Sequence, residues 1–223
     1  PTVKSVLLSM WERVKGYIIK AGTIIFLSTI VIWFLMNFGD AGDGFGLLDA
    51  DAPDYMDYSL MAGLGNLLAW IFAPLGFDTW QAAATTITGL VAKENVVATV
   101  GIITQLSSYG ESDPALWLGF GQMIGGGAAA ISAFCAFNLL CAPCFAAMGT
   151  IRQQQASAKW FWITIGYLCG FAWCVGLMIY QFVGLATGEV GFNFWTIIAI
   201  AVAAAMLFQI FRPMPKHKDE QTK

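Results

Sequence analysis

Tyr17–Phe38 reads YIIKAGTIIFLSTIVIWFLMNF, a run whose only charge, Lys20, lies near its start and whose Trp33–Phe34 pair lies near its end. As a helix this run reaches about 33 Å, enough for a hydrocarbon core about 30 Å thick. Trp at such an end suits the membrane–water interface. The stretch therefore reads as a transmembrane helix and sets the class of the whole chain.

The rest of the composition agrees. Hydrophobic residues make up 58% of the 223 residues and charged residues 11%, with a mean hydropathy of +0.68. A soluble domain carries about 25% charged residues to face water. The net charge of -3 and the scatter of Lys and Arg leave no basic stretch for nucleic acid. No secretory signal is evident, and a chain beginning at Pro1 reads as a fragment or processed piece. Cys135, Cys141, Cys144, Cys169 and Cys174 all lie in or beside apolar segments, which favours free thiols over a disulfide framework.

Working outward, residues 1–16 read as an interfacial amphipathic helix, with a stem of the first span as the alternative: Val3, Val6, Leu7, Met10, Trp11 and Val14 recur at helical spacing among Lys4, Arg13 and Lys15. Residues 17–211 form one membrane domain of about six segments, and residues 212–223 a basic tail holding the sole histidine, His217. The loop Gly39–Tyr58 holds six aspartates and no basic residue, so it should be external and both chain ends cytoplasmic. Ser59–Phe77 is short and interrupted by Gly63, Gly65, Asn66 and Pro74, as in a short or re-entrant helix. Thr79–Thr104 reads as one span with Lys93 and Glu94 in its middle. Ala115–Ile151 is too long for one straight span; its Gly121–Gly125 spacing suits close helix contact, and Pro143 breaks it. Trp160–Leu185 and Phe192–Phe211 complete an all-α, polytopic membrane helix bundle with broken or re-entrant helices. Two cytoplasmic ends require an even number of crossings: six if Ser59–Phe77 traverses, four if it pairs with the next segment as a re-entrant loop.

Three constellations carry chemistry. Gln81, Thr85, Thr88, Asn95 and Thr99 share one face of a continuous helix, lining either a helix contact or a hydrated path. Lys93 and Glu94 each cost about 2.5 to 3.5 kcal/mol at a helix centre. Neighbours on a helix point about 100° apart, so each needs a partner on another helix, a cavity or an ion. Cys141-Ala142-Pro143-Cys144, with Met148 beyond, offers soft sulfur suited to transition metals. If Pro143 sits in the first turn of a new half-helix, Cys144 stands at a helix N-terminus, where the dipole makes a thiol more acidic. The break also frees carbonyls of the preceding half-helix for a cation. Small cysteines packed at a kink are the plain alternative. Cys169, on a later span, reads as an ordinary buried thiol whose replacement matters far less than that of Cys144.

Four stretches, Trp11–Gly16, Trp80–Ala82, Gly89–Val97 and Pro143–Ile151, resemble in content, order and separation the C-terminal membrane region of the ferrous iron transport protein B family, FeoB. The resemblance implies the second of two gate repeats and a path for Fe²⁺ in a bacterial cell (inner) membrane. It carries a metal or gating role onto Cys144 and attention onto Glu94; Cys141 and Met148 join them by spacing alone. It also implies partners outside this stretch, a first gate repeat and a cytosolic domain using GTP and Mg²⁺, for which no Gly-x-x-x-x-Gly-Lys-Ser/Thr sequence occurs here. A homo-oligomer is left open. Two rivals stand beside the Fe²⁺ permease. Abundant Thr, Asn and Gln would suit a neutral solute such as a nucleoside, and Cys141 with Cys144 would suit a membrane thiol oxidoreductase.

Overall fold

The computed structural model describes residues 3–40, 44–48, 55–91, 93, 95–103, 114–125, 127–155 and 157–212. The first helix, α1 (Val3–Asn37), runs unbroken through the stretch that opens the chain and the first apolar run. Inside it, Thr23 and Thr29 donate to the carbonyls of Ile19 and Ile25 at 2.8 and 2.9 Å. Their hydroxyls thus bond the helix itself.

The stretch after α1 begins with an antiparallel hairpin, β1 (Phe38–Asp40) and β2 (Phe45–Leu47), where the sequence predicts only polar loop. Aromatic stacking accounts for it: Phe38 lies on Phe34 with ring centroids 4.4 Å apart and faces Phe45 at 6.2 Å. Gly39 bridges to Ser59, and a Cβ there would collide with the Tyr58 carbonyl.

Ser59 then caps α2 (Leu60–Phe72), its hydroxyl oxygen accepting from the Ala62 amide at 3.1 Å. A short 3-10 turn, Ala73–Leu75, contains Pro74 and ends at Gly76 with φ +81°. The chain bends by 100° from there into α3 (Trp80–Val91). At Gly65 the two helices nearly touch, since a Cβ would stand 2.6 Å from the Trp80 carbonyl oxygen. The interruptions noted in the sequence thus become a crossing point and a sharp corner.

One expectation is overturned next. Thr79–Thr104 is not one helix: α3 is followed by α4 (Asn95–Ile103), which folds back on it. The Thr99 hydroxyl donates to that of Thr88 at 2.9 Å, whereas a straight helix would separate them by about 16 Å. Gly89 admits the return, because a Cβ there would lie 2.8 Å from Val96 Cγ2. Thr88 and Thr99 therefore meet across a helical hairpin instead of belonging to one continuous stripe.

The long Ala115–Ile151 region breaks twice, giving α5 (Pro114–Ile124), α6 (Ala128–Leu140) and α7 (Phe145–Gln154). Gly125, at φ +105°, ends α5. The last two helices are α8 (Ala158–Thr187) and α9 (Phe194–Phe211). Small residues let α6 lie against α8, with a Cβ on Gly184 reaching 3.6 Å from that of Ala129. Phe72, Phe77, Phe120, Phe134 and Phe137 fill the centre, with neighbouring rings 5.1 to 5.4 Å apart for Phe72–Phe77, Phe72–Phe137, Phe77–Phe134 and Phe120–Phe134. Between α8 and α9 the buried Thr196 hydroxyl donates to Gln181 Oε1 at 2.9 Å.

Among the described residues, four stretches are long and apolar enough to cross a bilayer: 3–37, 128–154, 158–187 and 194–211. The bent pair of α2 with its 3-10 turn and α3 would be a fifth if it made a single broken span.

Candidate functional site

The site forms where α6 stops. Pro143 has no N–H for the Leu139 carbonyl and keeps Ala142 out of helical geometry. The backbone leaves the helix at Cys141 (φ -57°, ψ 167°) and re-enters at Cys144 (φ -54°, ψ 158°). Cys144 is the residue capping α7, and Pro143 precedes the helix instead of sitting in its first turn. The Cys144 carbonyl accepts from the Met148 amide at 2.9 Å, so Cys144 and Met148 lie one turn apart on the same face. Both are half-buried, and Met148 packs on the aromatic core.

Two carbonyls at the end of α6 have a partner the sequence did not identify. Lys93 Nζ donates to the carbonyls of Asn138 and Leu139 at 2.8 and 3.0 Å. An ammonium suits the negative end of a helix dipole and its orphan carbonyls. These two carbonyls, which the sequence reading leaves free for a bound cation, are instead occupied by a side-chain ammonium. Lys93 reaches them along a groove of about 260 Å³ that it lines with Val96, Val97, Cys135, Asn138 and Leu139.

The start of α6 is held by an opposite charge. The Glu189 carboxylate, in the connection between α8 and α9, accepts from the amides of Ala128 and Ala129 at 3.0 and 3.1 Å. Gly127 makes room for it, since a Cβ there would stand 2.6 Å from Glu189 Oε2. Sequence reasoning missed Glu189, an ordinary loop acid about sixty residues from its partners.

None of the five cysteines is in a disulfide. Cys141 turns toward Cys169 on α8, with the two Sγ atoms 3.8 Å apart. The Cys141 thiol thus meets a cysteine that no spacing rule could supply.

Among the other predicted site residues, Thr85 and Thr88 are buried and donate to the carbonyls of Gln81 and Thr85 at 2.8 and 2.9 Å. Thr88 and Thr99, with Ser59, Met36, Met56 and Met61, border a void of about 10 Å³, room for about one water. Asn95 begins α4. Glu94 lies outside the described residues, as does His217. Among the described residues no three His, Cys, Asp or Glu side chains converge as a metal cluster.

Residues 18–157 match the family model described as "Gate: Nucleoside recognition". The chain is 32% identical over 183 residues to the Fe(2+) transporter FeoB of Staphylococcus aureus (strain COL), covering 81% of the chain and 25% of that protein. It is 33% identical over 181 residues to the Fe(2+) transporter FeoB of Methanocaldococcus jannaschii, covering 80% of the chain and 25% of that protein. A Porphyromonas gingivalis Fe(2+) transport protein A/Fe(2+) transporter FeoB fusion protein is 29% identical over 220 residues, with 81% and 25% covered. The chain thus spans about a quarter of the length of these relatives. No solved structure matches. With its broken, apolar helices and a family match over more than half its length, the chain belongs to the Gate family and resembles the C-terminal gate region of FeoB transporters.

Proposed function

We propose that this chain is the membrane permease portion of a transporter that takes up Fe²⁺, multi-pass in a bacterial inner membrane. The observation that carries the reading is the break between α6 and α7, where Cys141 and Cys144 flank a proline inside an apolar stretch. A break of this kind exposes ligands at membrane depth only where protein or a water-filled cavity surrounds it. Fe²⁺ is a weak binder in the divalent series, so it can exchange waters for thiolate, thioether, carboxylate and backbone oxygen and still leave. Cys144 and Met148, on one face of α7, are the sulfur pair of this path, and Glu94 its carboxylate. In this reading residues 1–16 are the interfacial stretch and residues 212–223 the cytoplasmic tail. With α2 and α3 as a re-entrant pair, four crossings return the chain to its starting side. The relatives' greater length supports a first gate repeat and a GTP-binding domain as partners, with GTP and Mg²⁺ acting there.

Uptake of radiolabelled Fe²⁺ by cells lacking other iron importers, expressing the chain within its full transporter, tests this. Cys144→Ser should lower uptake at least about tenfold, the lower scale for losing even an outer contact of a metal site. Glu94→Gln should also lower it, with normal amounts of either variant in the membrane. Normal uptake by both variants would remove Cys144 and Glu94 from the path.

A nucleoside is the second reading, favoured by the description of the matched family. Against it, the Thr85 and Thr88 hydroxyls donate within α3 itself. Uptake of labelled nucleoside that Fe²⁺ does not inhibit would favour it. The pairing of Cys141 with Cys169 gives no support to a Cys141–Cys144 oxidoreductase.

A further inference from the structure

We propose that Cys141 and Cys169 form a two-thiolate half-site for a soft or borderline divalent metal ion, with its remaining positions open to the adjoining groove. The two Sγ atoms are 3.8 Å apart. That is far beyond a disulfide bond of about 2.05 Å. A tetrahedral metal with bonds of about 2.3 Å to sulfur sets its ligand sulfurs about 3.8 Å apart. The pair therefore has the edge length of a metal–thiolate tetrahedron before any metal arrives.

Access and charge agree with this. Both cysteines line a groove of about 440 Å³ together with Leu68, Ile71, Phe137 and Trp173. These walls disfavour a bare divalent ion. Binding two thiols releases two protons to water, M²⁺ + 2 RSH → M(SR)₂ + 2 H⁺, and the product is electrically neutral. A neutral unit can rest in apolar surroundings where M²⁺ alone could not. Two carbonyls at the same end of α6, those of Asn138 and Leu139, are already held by Lys93.

Hard ions gain little from thiolate, so Mg²⁺ is refused and Fe²⁺, Co²⁺, Zn²⁺ or Cd²⁺ accepted. Two protein ligands leave about half a tetrahedron to water, which makes the site a place of exchange instead of a structural anchor. The half-site rests on the thiol pair and stands apart from the Fe²⁺ permease reading. Metal binding without Fe²⁺ uptake would sink only that reading, and uptake without binding would sink only this one.

The reduced protein in lipid nanodiscs is titrated with Co²⁺, whose thiolate complexes absorb in the near ultraviolet. The expected result is one thiolate-bound Co²⁺ per chain. Cys141→Ser and Cys169→Ser should each weaken it at least tenfold, Cys135→Ser should not, and Mg²⁺ should not compete. Co²⁺ should also shield Cys169 of the unaltered protein from maleimide in membrane vesicles, a readout that survives misfolding of either variant. No thiolate band in the unaltered protein, a band indifferent to Cys169→Ser, or no shielding of Cys169 would each overturn the proposal.

Discussion

Lys93 is the residue whose role changes most between sequence and structure. As a lone cation in an apolar stretch it reads as a cost needing a partner. In the fold its ammonium satisfies two carbonyls that Pro143 and the end of α6 leave unpaired. Replacing it with Met keeps the apolar stem and strands both carbonyls. A hydrogen bond to a charged group is worth about 1.5 to 3 kcal/mol, and the exposure of Lys93 argues for the lower end. Lys93→Met should therefore lower the thermal midpoint by a few degrees, at about 2 to 4 °C per kcal/mol, while Lys93→Arg should retain most of the stability. A midpoint that Lys93→Met leaves unmoved in a melt of the detergent-solubilised protein would show the two bonds to be energetically idle. The need for a partner was legible in the sequence; the partner was not, because Asn138 and Leu139 lie about forty-five residues away and contribute only backbone atoms.

At the scale of elements, local punctuation was legible and reversal was not. Pro143 and Pro74 announce their own breaks, since a missing N–H is a property of one residue, whereas Gly125, which reads as part of a helix contact, instead ends α5 at φ +105°. The turn between α3 and α4 has no such mark. Its cause is the room at Gly89 for Val96, a fact about packing. For the same reason the polar residues from Gln81 to Thr99 have the right period for one face yet belong to two helices. Gly65 offers a direct test of how tightly these short helices cross. A methyl there would press on the Trp80 carbonyl oxygen from 2.6 Å, and backbone cannot rotate aside. Gly65→Ala should cost about 1 to 3 kcal/mol, read as a lower melting midpoint. Gly63→Ala, with nothing within 4 Å of the new methyl, should be neutral or slightly stabilising through helix propensity. Equal effects at the two positions would mean that α2 and α3 do not meet at Gly65.

For the whole molecule, hydropathy and charge were enough to identify an all-α membrane bundle, because the bilayer imposes helices of a set length. The pairings that assemble the site, Lys93 with α6, Glu189 with α6 and Cys141 with Cys169, are long-range and have no sequence period. The orientation can be tested on α9, whose 18 residues separate Gly191 from Arg212. In intact cells, Gly191→Cys should react with an impermeant maleimide above the background of the unaltered protein. Arg212→Cys should react only after the membrane is opened. The opposite pattern would invert the orientation.

The clamp on α6 also has a consequence in time. Lys93 is synthesised before α6, but Glu189 follows Ala128 by 61 residues. At about 5 to 20 residues per second, that interval lasts about 3 to 12 seconds. For those seconds the leading turn of a nascent α6 has amides whose eventual acceptor has not left the ribosome. Unsatisfied amides in hydrocarbon cost several kcal/mol each, so water must stand in for Glu189 and hold that end of α6 at the bilayer surface. The carboxylate then closes a segment that began to form without it, which makes the end of α8, rather than α6 itself, the step that completes α6.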